Sequence, residues 1–393
     1  MTHPTQSQTQ KTIFISTGEV SGDLQGAMLI EALYRQAAAI GITLKIVALG
    51  GAKMARAGAT LVGDTTRIGS VGIVESVPFI LPTLQLQGRA KQYLRENPPD
   101  LILFLDYLGP NLSIGSFVKR YLPQVQTVYY IAPQEWVWSL GDRNTSKIVE
   151  ICDRLLAIFP QEARYYRDKG ANVTWVGHPL LDSMQAAPKR DRARQTLGIP
   201  GEEVAIALLP ASRRQEIKYL LPVMLEAARQ IHSRLPQASF YIPLSLECYR
   251  EPIAAAIAQC GWRAKILPGS QTQTAIAAAD LAITKSGTVN LEIALANVPQ
   301  VVIYRVHPLT AWIARHILHF SIPFMSPPNL VLMKEIVPEL LQDKATSANI
   351  VREALDLLEN SHRRRQILAD YQQMRQALGE LGVCDRAARI ILQ

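Results

Sequence analysis

The chain has 393 residues, 48% of them hydrophobic, with 41 Lys and Arg against 33 Asp and Glu for a net charge of +8. At about 100–200 residues per domain this suggests two domains of an ordinary globular protein that attracts something anionic. Cys152, Cys248, Cys260 and Cys384 form no C-x-x-C pair, which argues against a zinc site or disulfide framework and fits a reducing compartment. The first eleven residues are polar, and no apolar run approaches the roughly 18 residues of a membrane span. The expectation is a cytoplasmic protein, at most peripheral on a membrane. Nucleic acid is not an expected partner, because the basic residues are dispersed and no recognition motif appears.

Apolar runs at 12–16, 44–49, 101–105, 127–131, 155–159 and 173–176 read as strands, with helical patterns between them. After a polar stretch at 186–203 the rhythm restarts at 204–209, 239–243, 264–267, 280–284 and 300–304. Continuous apolar strands alternating with helices predict parallel sheets covered on both faces. The expectation is two doubly wound, Rossmann-like domains facing a cleft, 1–183 and 184–346. Residues 347–393 carry no strand signal and read as helices.

In such sheets ligands bind beyond the carboxyl ends of the strands. "TGEVSGDLQGA", after the first strand, carries Gly18, Glu19, Ser21, Gly22 and Asp23. It has glycines, like a phosphate loop, but two carboxylates and no lysine. Asp106 ends the strand 101–105 in "LFLDYLGPN", as a cap for the next segment or as a catalytic base; His178 ends another in "VGHP". In the second half the tips turn basic. "LLPASRRQEI" brings Arg213 and Glu216, and "TKSGTVNLE" brings Lys285, Ser286, Gly287, Thr288 and, one turn into a helix, Glu292. Arginine forks and helix N-termini suit a pyrophosphate, and a carboxylate suits ribose hydroxyls. The division predicts a nucleotide held by the second domain and a hydroxyl acceptor by the first, as in a nucleotide-sugar transferase of the GT-B kind. A dinucleotide dehydrogenase is disfavoured, since neither half has G-x-G-x-x-G after its first strand.

These segments, with "IGSVGIVES", "APQEWVWS", "FPQEARYYRDKGANVTWVGHPLLD", "SGTVNLEIALANVPQVVIYR" and "PPNLVLMKEIVPELLQD", resemble the lipid-A-disaccharide synthase family in order and over nearly the whole chain. The resemblance implies a GT-B fold whose C-terminal helices, 347–393, pack back on the first domain or a partner subunit. It implies inverting transfer of 2,3-diacylglucosamine from UDP-2,3-diacylglucosamine to the 6-hydroxyl of 2,3-diacylglucosamine 1-phosphate, with no metal or other cofactor. It also implies attachment to the inner face of the cytoplasmic membrane, and a homodimer. The catalytic set it implies is Asp106, Glu19 and Asn329. UDP falls to Arg213, Glu216, Ser286, Gly287, Thr288 and Glu292, and the acceptor to Gly18, Ser21, Gly22, Asp23, Asn111, Trp136 and Trp138; the strand-tip reading alone adds Lys285 for UDP and His178 for the acceptor.

Leu108, Pro110, Ala211, Ser139 and Lys285 depart from the family's usual residues. "SVPFILPTLQLQ", with Phe79, Ile80, Leu81 and Leu84, is richer in apolar residues than one buried helix face requires, and suits acyl chains or a membrane surface. "YRVHPLTAWIARHILHFSIPFM" mixes Trp312, Ile317, Leu318 and Phe320 with basic residues and reads either as interfacial or as a core helix. Two other readings stay open: another UDP-GlcNAc-type transferase or epimerase, and a catalytically silent UDP-sugar-binding membrane protein.

Overall fold

The computed structural model describes residues 10–66, 77–137, 141–211, 214–261, 264–316 and 322–393, with backbone alone at Glu19, Val77, Arg214 and 313–315. The chain divides into two compact units, one running to Asp182 and including Leu378–Gln393, the other Ser183–Ala377.

The first unit is built on β1 (Gln10–Ser16), β2 (Thr43–Gly50), β3 (Thr60–Asp64), β4 (Leu101–Leu105), β5 (Gln126–Tyr130), β6 (Arg154–Ala157) and β7 (Val173–Trp175). They form one sheet in the order β3-β2-β1-β4-β5-β6-β7, every pair parallel. The order reverses between β1 and β4, the switch point where such sheets open for a ligand. The LILFL of β4 is buried throughout, as a strand covered on both faces must be. One face packs Phe14, Ile102 and Phe104 against Leu94, Ile114 and Phe117.

The second unit holds β8 (Val204–Leu209), β9 (Ala238–Pro243), β10 (Lys265–Leu267), β11 (Leu281–Lys285), β12 (Gln300–Tyr304) and β13 (Glu339–Leu341). They too are all parallel, in the order β10-β9-β8-β11-β12-β13, with the switch between β8 and β11. The eleven strands expected from sequence all appear; β3 and β13 are additions. Both are short edge strands, and β3 is nowhere fully buried, so neither produces an apolar run.

The C-terminal helices are shared between the units. Ser347–Glu359 and Ser361–Ala377 belong to the second, where the Tyr371 hydroxyl meets Gln300 Nε2 at 3.2 Å and Arg375 donates to the Leu295 carbonyl at 2.6 Å. Only the last helix, Val383–Leu392, returns, and it packs along Glu19–Ala39. Its N-terminus is capped from a distance: the Asp182 carboxylate accepts from the N–H groups of Gly382 (2.7 Å) and Cys384 (2.8 Å). Nearby, Gly177 has φ 88° and its missing Cβ would stand 2.9 Å from the Leu378 carbonyl, so the close approach of these segments needs glycine. Among the described residues no helix is long and apolar enough to cross a membrane.

Candidate functional site

At the first switch point the exposed Asp106 follows β4 directly. Its backbone is left-handed, φ 44°, and so is that of Tyr107, φ 56°. The Asp106 N–H donates to the Ile131 carbonyl at 2.9 Å, and its carbonyl accepts from Asn111 Nδ2 at 2.6 Å and the Tyr129 hydroxyl at 2.8 Å. Asn111 is fully buried; its Oδ1 accepts from Ser16 Oγ at 2.7 Å, tying the tips of β1 and β4 together. The helix Leu108–Tyr121 starts at once, and Pro110 lies in its first turn, where a missing N–H breaks no helical bond.

The glycines of "TGEVSGD" serve packing here. A Cβ on Gly18 would lie 2.3 Å from the Tyr107 ring, and one on Gly22 2.0 Å from Thr17 Oγ1. The loop is small so that Tyr107 can lie against it. Ser21 is half-buried beside it, and the side chain of Glu19 is outside the described residues.

Several residues expected to face the acceptor have other partners. Asp23 accepts from Gly51 N (2.9 Å), Met54 N (3.0 Å) and Lys53 N (3.1 Å), so it caps the helix Ala52–Arg56 rather than its own helix or a ligand. His178 is 2% exposed, accepts from Leu180 N–H at 3.2 Å and packs on Phe159; burial drives its pKa down to about 3, so the ring is neutral and structural. Trp136 packs its ring 5.7 Å from Phe159, against the core. Asn111 acts on the Asp106 backbone rather than on substrate. Trp138 lies outside the described residues.

At the second switch point Lys285 Nζ lies 3.9 Å from Glu216 Oε1, both side chains largely buried. A Cβ on Gly287 would stand 2.5 Å from Lys285 Nζ, so glycine lets the ammonium fold over the 286–288 turn. The turn is braced on its inner side: Asn290 Oδ1 accepts the Gly287 N–H at 2.8 Å, and Ser286 Oγ donates to the Met325 carbonyl at 2.7 Å. Two of the groups expected to grip phosphate are therefore engaged internally, while Thr288 and Lys285 are half-buried on the same turn. Glu292 is half-buried one turn into Val289–Leu295. Arg213 is outside the described residues.

Asn329, expected among the catalytic residues, is fully buried and bonded within its own loop. Its Oδ1 accepts from Ile336 N and Val337 N (2.8 and 2.9 Å), and its Nδ2 donates to the Val337 carbonyl and Glu339 Oε1 (2.9 and 2.7 Å). Glu339, which sequence reasoning passed over, also accepts from Met325 N, Ser326 N and Ser326 Oγ at 2.6–2.9 Å. It thus fixes the carbonyl that holds Ser286.

Glu162 was missed as well. Fully buried, it accepts from Ala132 N, Ile158 N and Phe159 N at 2.8–3.1 Å, yet burial outweighs those donors and raises its pKa to about 7. Ile80, Leu81 and Leu84 are 54–64% exposed at the start of the helix Ile80–Glu96, with Phe79 half-buried before them. Of the second apolar segment, Trp312 is 53% exposed and residues 317–321 are outside the described residues.

A family model described as lipid-A-disaccharide synthetase matches residues 13–393. The chain is 60% identical over 380 residues to the lipid-A-disaccharide synthase of Gloeothece citriformis, covering 97% of this chain and 99% of the relative. It is 54% identical to that of Synechocystis, covering 97% of each. Among solved structures, the UDP-GlcNAc 2-epimerase of Neisseria meningitidis bound to UDP-GlcNAc aligns with TM-score 0.65 at 13% identity over 98% of both chains. A putative UDP-N-acetylglucosamine 2-epimerase from Listeria monocytogenes aligns with TM-score 0.64 at 16% identity, over 98% of this chain and 95% of that one. At such identities the epimerases share the two-domain GT-B fold alone.

Proposed function

The chain belongs to the lipid-A-disaccharide synthetase family, and from that premise we propose how its two switch points divide the family's reaction. The reaction is transfer of 2,3-diacylglucosamine from UDP-2,3-diacylglucosamine to the 6-hydroxyl of 2,3-diacylglucosamine 1-phosphate. Asp106 is the general base. It takes the proton of the 6-hydroxyl as that oxygen attacks the anomeric carbon; the bond to UDP breaks and the electron pair leaves on the β-phosphate. One displacement inverts the α-linked donor to a β-1,6 disaccharide. The second unit binds UDP: Lys285, Thr288 and Arg213 face the negative charge growing on the diphosphate, Glu216 orients Lys285, and Glu292 accepts from ribose hydroxyls. The observation that carries the reading is the exposed Asp106, at the switch point of its sheet, on a backbone held by three hydrogen bonds.

The exposed apolar turn at Ile80, Leu81 and Leu84 supports a second element. There the protein rests on the inner face of the cytoplasmic membrane, from which both acylated substrates are drawn.

The test is Asp106→Asn, chosen because asparagine tolerates a left-handed backbone where alanine does not. With both acylated substrates and product read by mass spectrometry, turnover should fall by about 10²–10⁴-fold while UDP affinity stays within about twofold. Undiminished turnover, or an α-linked product, overturns the assignment.

A further inference from the structure

Six non-glycine residues of the described chain have positive φ, and the three in the first unit, Asp106, Tyr107 and Ile131, stand together at the tips of β4 and β5. Ile131, at φ 61°, is β-branched, the kind of residue that most resists this conformation. Each such residue is strained and persists only where its surroundings over-determine it.

Besides main-chain bonds from the N–H groups of Asp106 and Ile131, two side-chain donors hold this turn, and both converge on one atom, the Asp106 carbonyl oxygen. Asn111 Nδ2 reaches it at 2.6 Å, but the same amide nitrogen also lies 3.2 Å from the Leu105 carbonyl and 3.4 Å from that of Ser16. The Tyr129 hydroxyl, by contrast, has one proton to give, and it points at Asp106 O at 2.8 Å. Tyr129 is itself immobile: fully buried, on β5, with its ring 5.6 Å from Phe104 of β4.

We propose that Tyr129 is a positioning residue for Asp106: its hydroxyl clamps the main-chain carbonyl of the left-handed turn and so fixes where the carboxylate meets the acceptor hydroxyl. This rests on the reading of Asp106 as the base. Tyr129 touches no substrate and acts only through the backbone of its neighbour strand.

The neighbouring residue supplies a matched control. Tyr130 is as fully buried, but alternation along the strand sends its ring to the opposite face, toward Cys384 and Asp182. Tyr129→Phe and Tyr130→Phe each delete one buried hydroxyl and keep the ring. Steady-state kinetics and thermal melting are measured for both, and Tyr129→Phe is repeated in the Asp106→Asn background. Tyr129→Phe should lower kcat about five- to tenfold with KM for the UDP-sugar within about twofold. Tyr130→Phe, which removes a buried hydroxyl that makes no hydrogen bond among the described residues, should leave kcat unchanged and the melting temperature no lower than that of Tyr129→Phe. With Asp106 already replaced, Tyr129→Phe should change the residual rate by less than about twofold, since the group it positions is gone.

An unchanged kcat in Tyr129→Phe, an equal loss in Tyr130→Phe, or the same fold-loss in the Asp106→Asn background overturns the proposal. Full turnover by Asp106→Asn alone removes the base, and this role with it. An inactive Asp106→Asn beside an unaffected Tyr129→Phe overturns only the role of Tyr129.

Discussion

The two switch points share a topology and differ in how they are made rigid. In the first, the backbone is strained: left-handed residues at the tips of β4 and β5 are held by buried donors, and Asp106 is exposed. In the second, a side-chain network centred on Glu339 and Asn290 braces the 286–288 turn under a cation. On the proposed reading the contrast fits the chemistry: a base must stand at one point, because a proton moves over a short distance, whereas a diphosphate presents several oxygens and asks less of a single group.

The largest effect that would break this contrast is at Asp106. Asp106→Ala should lose as much activity as Asp106→Asn and melt at a lower temperature as well, since alanine pays the left-handed backbone penalty of about 1–2 kcal/mol. Equal melting temperatures would show that the turn is unstrained.

Next comes Asn329→Ala, which should cost about 2–4 kcal/mol in stability by leaving several buried groups unpaired. Chemical denaturation checks it; a stable but inactive variant would return Asn329 to the chemistry. Lys285→Met should weaken UDP binding by about 10–100-fold, the worth of a charged hydrogen bond, measured by calorimetry. Its kcat should fall less than that of Asp106→Asn.

Two buried groups of the first unit sharpen the comparison through pH. Folding holds His178 at a pKa of about 3 against an ordinary 6.5, so the unfolded chain binds the extra proton and stability falls as pH drops through that window. Glu162 is opposite. Its folded pKa of about 7 exceeds the ordinary 4.5, so the native state holds the proton and stability falls as pH rises from 4.5 to 7. Melting temperature against pH should lose its acid slope in His178→Asn and its neutral-side slope in Glu162→Gln. Slopes that survive both changes would place the titration elsewhere.

The smallest effect on stability is expected at the apolar turn. Leu81→Ser with Leu84→Ser should shift stability by less than about 0.5 kcal/mol, as exposed positions do. Binding to vesicles containing anionic lipid should fall; unchanged binding would leave these leucines as ordinary surface.

Much of this was legible in the sequence because strand tips are local. Asp106, Lys285 and the 286–288 turn each follow an apolar run that fixes where the side chain emerges. What the sequence could not show were partners that lie far along the chain. Asp23 caps a helix about 28–31 residues on, and His178 is buried against a segment two hundred residues away. Asn329 looks like a cleft residue in "PPNL", but its bonds go to 336–339, across a turn that no short pattern specifies. Glu339 and Tyr129 left no signal, because one sits in a three-residue edge strand and the other reads as plain core.

The Asp182 cap has a consequence for synthesis. Residues 183–377 are contiguous and can close as a unit while the ribosome is still at work. The amino-terminal unit is made first but lacks Leu378–Gln393, whose Val383, Ala387 and Ile391 are buried in the finished protein. The half of the molecule that carries Asp106 is therefore the last to mature. A chain broken off after residue 377 would keep the second unit whole and leave the first without its last helix.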